Sequence, residues 1–316
     1  MTVAREALTR RFRVMNTNAL LMLHPRRGTS AAFVAASLVA AERRANEIED
    51  IFSRFRPASE LSRLNAAAGG WMRVSIEMTH VLQYALGLHD ATGGLFDPAI
   101  LPDLERAGYD RTFEELPADR AAPAGPAPPR SLFADIDLSD RSVRIPGGMR
   151  IDLGGIVKGW AADTLAATLG ELGPCLVELG GDTAVRGVPP DAQGWSIGVR
   201  SADQPTQNIA IVEVASGGVA TSGILDRRWK SGGEWVHHLI DPRTGEAATT
   251  DLRQVTAFGP SAMTAEVWAK AALIAGSAAC GPLLGRRPEI ELVLVPVDGV
   301  PVASPGVPLM ATQFVA

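Results

Sequence analysis

The stretch Ile151–Leu165, IDLGGIVKGWAADTL, sets the tightest limit on how this chain folds. An apolar run halts at Asp152, two adjacent glycines follow, and Lys158 precedes a segment with helical spacing. A strand that passes through a glycine bend into a helix requires an architecture in which sheet and helix pack together. A second Gly-Gly pair, in ELGGD at Glu178–Asp182, follows another apolar run. Two such turns can meet at one end of a sheet and line one cleft with backbone donors. A helix N-terminus exposes unpaired N–H groups carrying about half a positive charge. Glycines admit an anion close to the backbone, and Lys158 adds a full charge. The Walker spacing is absent, because Trp160 rather than Ser or Thr follows the Lys-Gly pair. Adjacent Gly154 and Gly155 exclude the Rossmann spacing. At this point glycines that merely serve a tight turn remain the plain alternative.

The rest of the chain alternates element types. Arg11–Leu23 reads as a strand. Thr29–Ile51, with Phe33, Leu38, Val39, Ile48 and Ile51, reads as a long helix against a core. Ser59 opens a short helix, and Ile76–Thr92 another, stopped by the glycines of ATGG. The proline-rich segment 116–130 reads as a surface insertion or linker. Arg150–Leu153 reads as a strand, 160–172 as a helix and Cys175–Leu179 as a strand. Further strands are expected near Trp195–Arg200, Ile209–Val214, Gln254–Phe258 and 291–297, with a helix at 262–274. The mixture, with several hairpin-like turns, predicts an α+β fold. One domain is expected over residues 11–300, flanked by an extension at 1–10 and a tail at 301–316.

A net charge of −5 argues against a nucleic-acid footprint. The N-terminal apolar run Ala19–Leu23 is too short for a signal or membrane segment. Cys175 and Cys280 lack metal spacing and read as buried free thiols in a reducing compartment. A cytoplasmic protein without stable membrane insertion is expected. Only three of the 30 basic residues are lysines, Lys158, Lys230 and Lys270, so each stands out against an arginine background.

Three further segments are dense in Gly, Asp, Ser and Thr and read as loops: ELGGDTAVRG, GGVATSG and HHLIDPRTGEAA. His238 and Asp241 bring a titratable pair to the last. Histidine suits a base near neutrality, although a structural histidine and an ordinary Asp-Pro turn explain the same residues.

The strings IDLGGIVKGWAAD, LVELGGD, ATSG, HLIDPRTG and VTAFGPSAMTAEVWAKAALIAG, in this order, resemble the ApbE family of FAD:protein FMN transferases. VMNT at Val14–Thr17, FSRFRPASELSRLN at Phe52–Asn65 and TGGLFDPAI at Thr92–Ile100 agree, so the resemblance spans roughly residues 10 to 300. It implies FAD bound with its diphosphate near the glycine loops. It also implies transfer of FMN to a Ser or Thr hydroxyl of an acceptor flavoprotein, with release of AMP. By position, Met15, Phe55, Leu95, Phe96, Asp97, Gly154, Val157, Trp160 and Ile240 match the family's flavin-contacting places, with Lys158 beside the phosphates. Phe55 stands where the family usually has Tyr or Trp, Trp160 where it commonly has Tyr, and Asn16 where it has glycine. His238 is the implied base, or the group orienting the hydroxyl, with Asp241 its partner.

The resemblance breaks at the metal. The family's A-D-A-L-A-T holds Mg²⁺ through the Asp, the Thr and a main-chain carbonyl of the first glycine loop. Here Ala265–Lys270 is AEVWAK. The implied metal places are thus Val157, Glu266, Ala269 and Lys270, and an ammonium cannot ligate Mg²⁺. Glu266 and Lys270 also have the i, i+4 spacing of a helix salt bridge. Lys270 is expected to supply part of the charge otherwise brought by the ion. A non-catalytic FAD-binding protein and a FAD pyrophosphatase remain the alternatives.

Overall fold

The computed structural model describes residues 7–117, 119–120, 132–204, 206–307 and 309–311. Most of the proline-rich segment lies outside them. Eight strands form the central sheet: β1 (Leu8–Val14), β2 (Thr17–Leu23), β3 (Cys175–Leu179), β4 (Asp182–Arg186), β5 (Gly217–Gly223), β6 (Leu252–Gly259), β7 (Glu291–Pro296) and β8 (Val302–Ala303). Their order in space is their order in the chain, and every neighbouring pair is antiparallel. The sheet is a meander with long excursions hung between its strands. Its outer strands begin at Leu8 and end at Ala303, just past the limits of 11 and 300 expected for the domain.

Side-chain alternation divides the sheet cleanly. Cys175, Val177 and Leu179 of β3 face one core, together with Leu21, Leu23, Ala184, Ala220, Val255 and Leu292. Leu176, Val185, Val219, Phe258 and Val293 face a second core, built with Trp195, Val199 and Val212. The first core is covered by α1 (Ala31–Phe52), α2 (Val157–Gly170) and α3 (Ala262–Ala275). The second lies under a small sheet of strands Trp195–Arg200, Asn208–Val214 and Leu309–Ala311. Cover on both faces explains why CLVEL reads as a continuous apolar run rather than an alternating one.

The stripe of α1 runs Val34, Leu38, Ala41, Ala45, Ile48, Phe52, at spacings of three and four, and leaves Phe33 and Val39 exposed. Ser30 caps it by accepting from the Phe33 amide. The N-terminus of α3 is capped twice. Ser261 accepts from the Thr264 amide, and Asp163 reaches across from α2 to accept from the amides of Ala262 and Met263, both at 2.9 Å. Burial raises the Asp163 pKa to about 6 against the pull of those two donors. Both cysteines are buried and free, and burial raises each thiol to about 11.

Four local expectations are corrected. Arg11–Leu23 is not one strand but the β1–β2 hairpin, whose turn residues Met15 and Asn16 have φ of 52° and 55°. Arg150–Leu153 is not a strand. Its hydrogen bonds go to the Asn65 side chain, which pairs with both the amide and the carbonyl of Ile151, and to Pro98, which accepts from Asp152. Two segments read as loops are strands: GGVATSG is β5, near the middle of the sheet, and ELGGDTAVRG is the β3–β4 hairpin, with only Gly180 and Gly181 in its turn.

Candidate functional site

Turns and helix ends at one rim of the sheet converge on a cleft of about 250 Å³. The hairpin turn at Met15 and Asn16, the end of α1 through Phe55, and Leu95–Asp97 form one side. Gly154–Lys158 at the start of α2 and the β3–β4 turn form the floor, with Glu266 and Lys270 rising from α3. Thr221–Gly223 at the end of β5, Arg227 and His238–Ile240 close the other side. The β3–β4 turn needs glycine: Gly180 and Gly181 have φ of 63° and 95°, and Thr17 already fills the space a Gly180 side chain would take. Met15 accepts the same left-handed region with a full side chain, a strain of the kind concentrated at ligand clamps.

Met15, Phe55, Leu95, Phe96, Asp97, Gly154, Val157, Lys158, His238, Ile240, Glu266 and Lys270 all line this cleft. Trp160, Asp241 and Ala269 do not. Trp160 sits on α2 with its ring edge-on to Phe52, centroids 5.6 Å apart. Ala269 is fully buried in the core. The Asp241 carboxylate accepts from the amide and guanidinium of Arg243 within its own turn.

The floor is an ion-pair network. The Lys158 ammonium bonds to Asp182 and, at 2.8 Å, to Glu266. The second Glu266 oxygen accepts from the Gly159 amide at 2.9 Å. Burial opposes the Lys158 charge, but the two carboxylates outweigh it and raise its pKa above the ordinary lysine value. The Asp182 pKa is raised too, to about 7, by burial and by Glu266. The helix pair expected between Glu266 and Lys270 does not form. Lys270 instead donates to the Gly155 carbonyl at 3.3 Å. Burial lowers its pKa, with Glu266 pulling the other way.

The glycine loop offers fewer amides than its sequence suggests. Gly154 donates to Asp152 at 2.6 Å, and Ile156 and Val157 donate to Leu153. The Gly155 and Lys158 amides have no acceptor among the described residues. They are the two left for a ligand.

His238 is held by Arg227. Its Nδ1 lies 3.3 Å from the Arg227 carbonyl. A carbonyl only accepts, so Nδ1 carries the proton and Nε2 keeps the lone pair. Burial first, then the charges of Arg227 and Lys270, hold the ring's pKa well below 6.5.

Mg²⁺ does not fit the side chains present. Both Glu266 oxygens are engaged by an ammonium and an amide, and Lys270 brings a second cation into the same set. No group of three or more His, Cys, Asp or Glu among the described residues is placed to hold a metal.

Arg54, Tyr109, Asp182 and Arg227 also line the cleft, and the sequence reading gave them no role. Arg54 pairs with Asp152 at 2.9 Å and lies over the rings of Phe55 and Tyr109, at 4.1 and 4.6 Å. Its Nη2 is buried without a hydrogen-bond partner among the described residues. Asp182 had a visible signal, an acid directly after a Gly-Gly turn. Arg227 acts through its main-chain carbonyl, for which sequence carries no signal, as well as through its charge.

Residues 15–294 match the model of the ApbE family. A FAD:protein FMN transferase of Treponema pallidum is 31% identical over 284 residues, 82% of this chain and 76% of that one. One from Vibrio cholerae is 28% identical over 241 residues, 74% of this chain and 72% of its own. Among solved structures, an ApbE protein of Thermotoga maritima superimposes with a TM-score of 0.81 at 24% identity, covering 95% of this chain and 97% of that one. The flavinyl transferase of Pseudomonas stutzeri gives a TM-score of 0.80 at 20% identity, with 95% of both chains covered.

Proposed function

The chain belongs to the ApbE family, and from that premise we propose that it is a FAD:protein FMN transferase acting on a Ser or Thr hydroxyl of an acceptor protein. The observation that carries the reading is the convergence of both Gly-Gly turns, Lys158, Lys270 and His238 on one cleft. FAD lies there with its diphosphate over the amides of Gly155 and Lys158. The aromatic and apolar side chains of Met15, Phe55, Leu95 and Phe96 flank the rings.

The acceptor hydroxyl attacks the FMN-side phosphorus. A new P–O bond forms to the acceptor, the bond to the AMP phosphate breaks, and AMP leaves with that electron pair. The hydroxyl proton passes to Nε2 of His238, which is neutral and therefore able to take it. Charge growing on the phosphate oxygens meets the fixed ammonium of Lys270 and the free amides, already oriented before the reaction begins. Magnesium has no ligand set here, so the residues themselves supply the charge. No helix among the described residues is long and apolar enough to cross a membrane. Cytoplasmic residence, with an acceptor reachable there, completes the reading.

The test is direct. The chain is incubated with FAD and a candidate acceptor domain, run on a denaturing gel, and examined for flavin fluorescence on the acceptor band. Fluorescence there with equimolar AMP supports transfer. Free FMN and AMP without acceptor labelling indicate a pyrophosphatase, and bound FAD without products a binding protein.

Arg54 is expected to contribute to FAD affinity, because its buried Nη2 lacks an acceptor that a dinucleotide can provide. Arg54→Lys keeps the charge but loses the fork and the stacking on Phe55. Binding should weaken about tenfold in a flavin-fluorescence titration.

A further inference from the structure

Lys270 occupies an unusual place. It rises from α3 one turn beyond Glu266, and its ammonium bonds to the Gly155 carbonyl beneath the first glycine loop. The fit at Gly155 is close: a Cβ there would lie 3.0 Å from both Cε and Nζ of Lys270, and 3.5 Å from Phe96. Loop, lysine and aromatic ring are thus packed as one unit in the cleft.

The neighbouring charges complete the argument. Lys158 faces two carboxylates, Asp182 and Glu266, and one ammonium cannot balance both when they are ionised. Lys270 is the fourth charge. With it the floor is neutral before any ligand arrives. Without it, an anionic diphosphate would meet a floor of net negative charge whenever both carboxylates are ionised, which a divalent ion would have to offset.

We infer that Lys270 is a built-in cation that fixes the Gly154–Gly155 loop and the FAD diphosphate together, so that this chain takes up FAD without a divalent metal. The inference rests on the flavin reading above and goes beyond it, since it concerns how the site is charged rather than which reaction follows. Lys270 is a binding residue, and Lys158 serves the clamp between α2 and α3 rather than the ligand.

The test is equilibrium binding of FAD to the full chain, followed by flavin fluorescence, in EDTA and then in excess Mg²⁺. The wild type should bind with the same affinity, within about twofold, in both. Lys270→Gln, uncharged and one bond shorter, should bind about tenfold more weakly in both media. Lys270→Thr should be weakened in EDTA and recover when Mg²⁺ is added, and Lys270→Arg should retain wild-type affinity. Melting curves identify any variant that is unfolded, and the wild-type comparison stands without them. FAD uptake by the wild type only in Mg²⁺ overturns this inference alone, as does wild-type affinity in folded Lys270→Gln. No uptake in either medium removes the flavin reading, and this inference with it.

Discussion

Replacing His238 with alanine is expected to lower FMN transfer by about 10²–10⁴-fold, the usual contribution of a positioned base, while FAD uptake stays close to that of the wild type. The expectation comes from geometry. The Arg227 carbonyl fixes the proton on Nδ1, and the ring lines the cleft together with Arg227 and Lys270. Single-turnover transfer at saturating FAD measures the loss, and a parallel binding titration separates chemistry from uptake. Transfer at the wild-type rate would remove His238 from the reaction. The pH dependence follows from the same environment. The folded-state pKa lies well below 6.5, so the acid limb of the transfer rate should fall below pH 6.5, and His238→Ala should abolish it. For stability, the unfolded chain takes up a proton on this residue near pH 6.5 and the folded chain only at lower pH. The contribution is therefore fully present above 6.5 and is lost as pH falls toward the folded-state value.

Gly159→Ala is expected to cost roughly 3 kcal/mol, the upper end of overpacking penalties. A Cβ at this position would meet the Ala262 carbonyl oxygen at 2.5 Å and the Met263 Cα at 2.6 Å. These are backbone atoms at the capped start of α3, so no side chain can rotate away. The same turn is pressed from the sheet by Gly218, where a Cβ would lie 2.0 Å from the Ala262 amide nitrogen. Relief requires α2 and α3 to separate, and their crossing is where the Gly159 amide holds Glu266. Thermal unfolding should show a midpoint lowered by roughly 4–5 °C, together with weakened FAD binding. Gly87→Ala is the control. Gly87 lies in the helix Ile76–Ala91, with nothing within 4 Å of its would-be Cβ, so alanine should be neutral or slightly stabilising.

Much of this was legible in the sequence because pattern and environment agree. The elements with clear caps and periodicity, α1 behind Ser30 and Ile76–Ala91 behind Ser75, form where their spacing predicts. The failures have local causes. The β1–β2 turn carries Met-Asn instead of a glycine signal, and its left-handed pair is affordable only because seven residues of strand pair on either side. The β5 segment looks like a loop, but Gly218 serves the close approach of α3 and Gly217 that of Gly259 on β6, rather than a bend. Arg150–Leu153 has strand-like composition, but the Asn65 amide takes the hydrogen bonds a partner strand would make. In the site, the i, i+4 spacing of Glu266 and Lys270 says only that the two are neighbours on a helix. The nearer claim belongs to Lys158, brought in from α2 by a crossing that linear spacing does not encode.

The meander has a consequence for how the molecule is made. Leu23 of β2 pairs with Cys175 of β3, so about 150 residues must be gathered before that seam closes. At usual rates of synthesis, roughly ten to thirty seconds separate the emergence of the two strands from the ribosome. The nascent hairpin holds Leu21 and Leu23 in readiness through that interval. The following helix, α1, emerges first and packs on β1, giving the waiting hairpin provisional shelter from other chains.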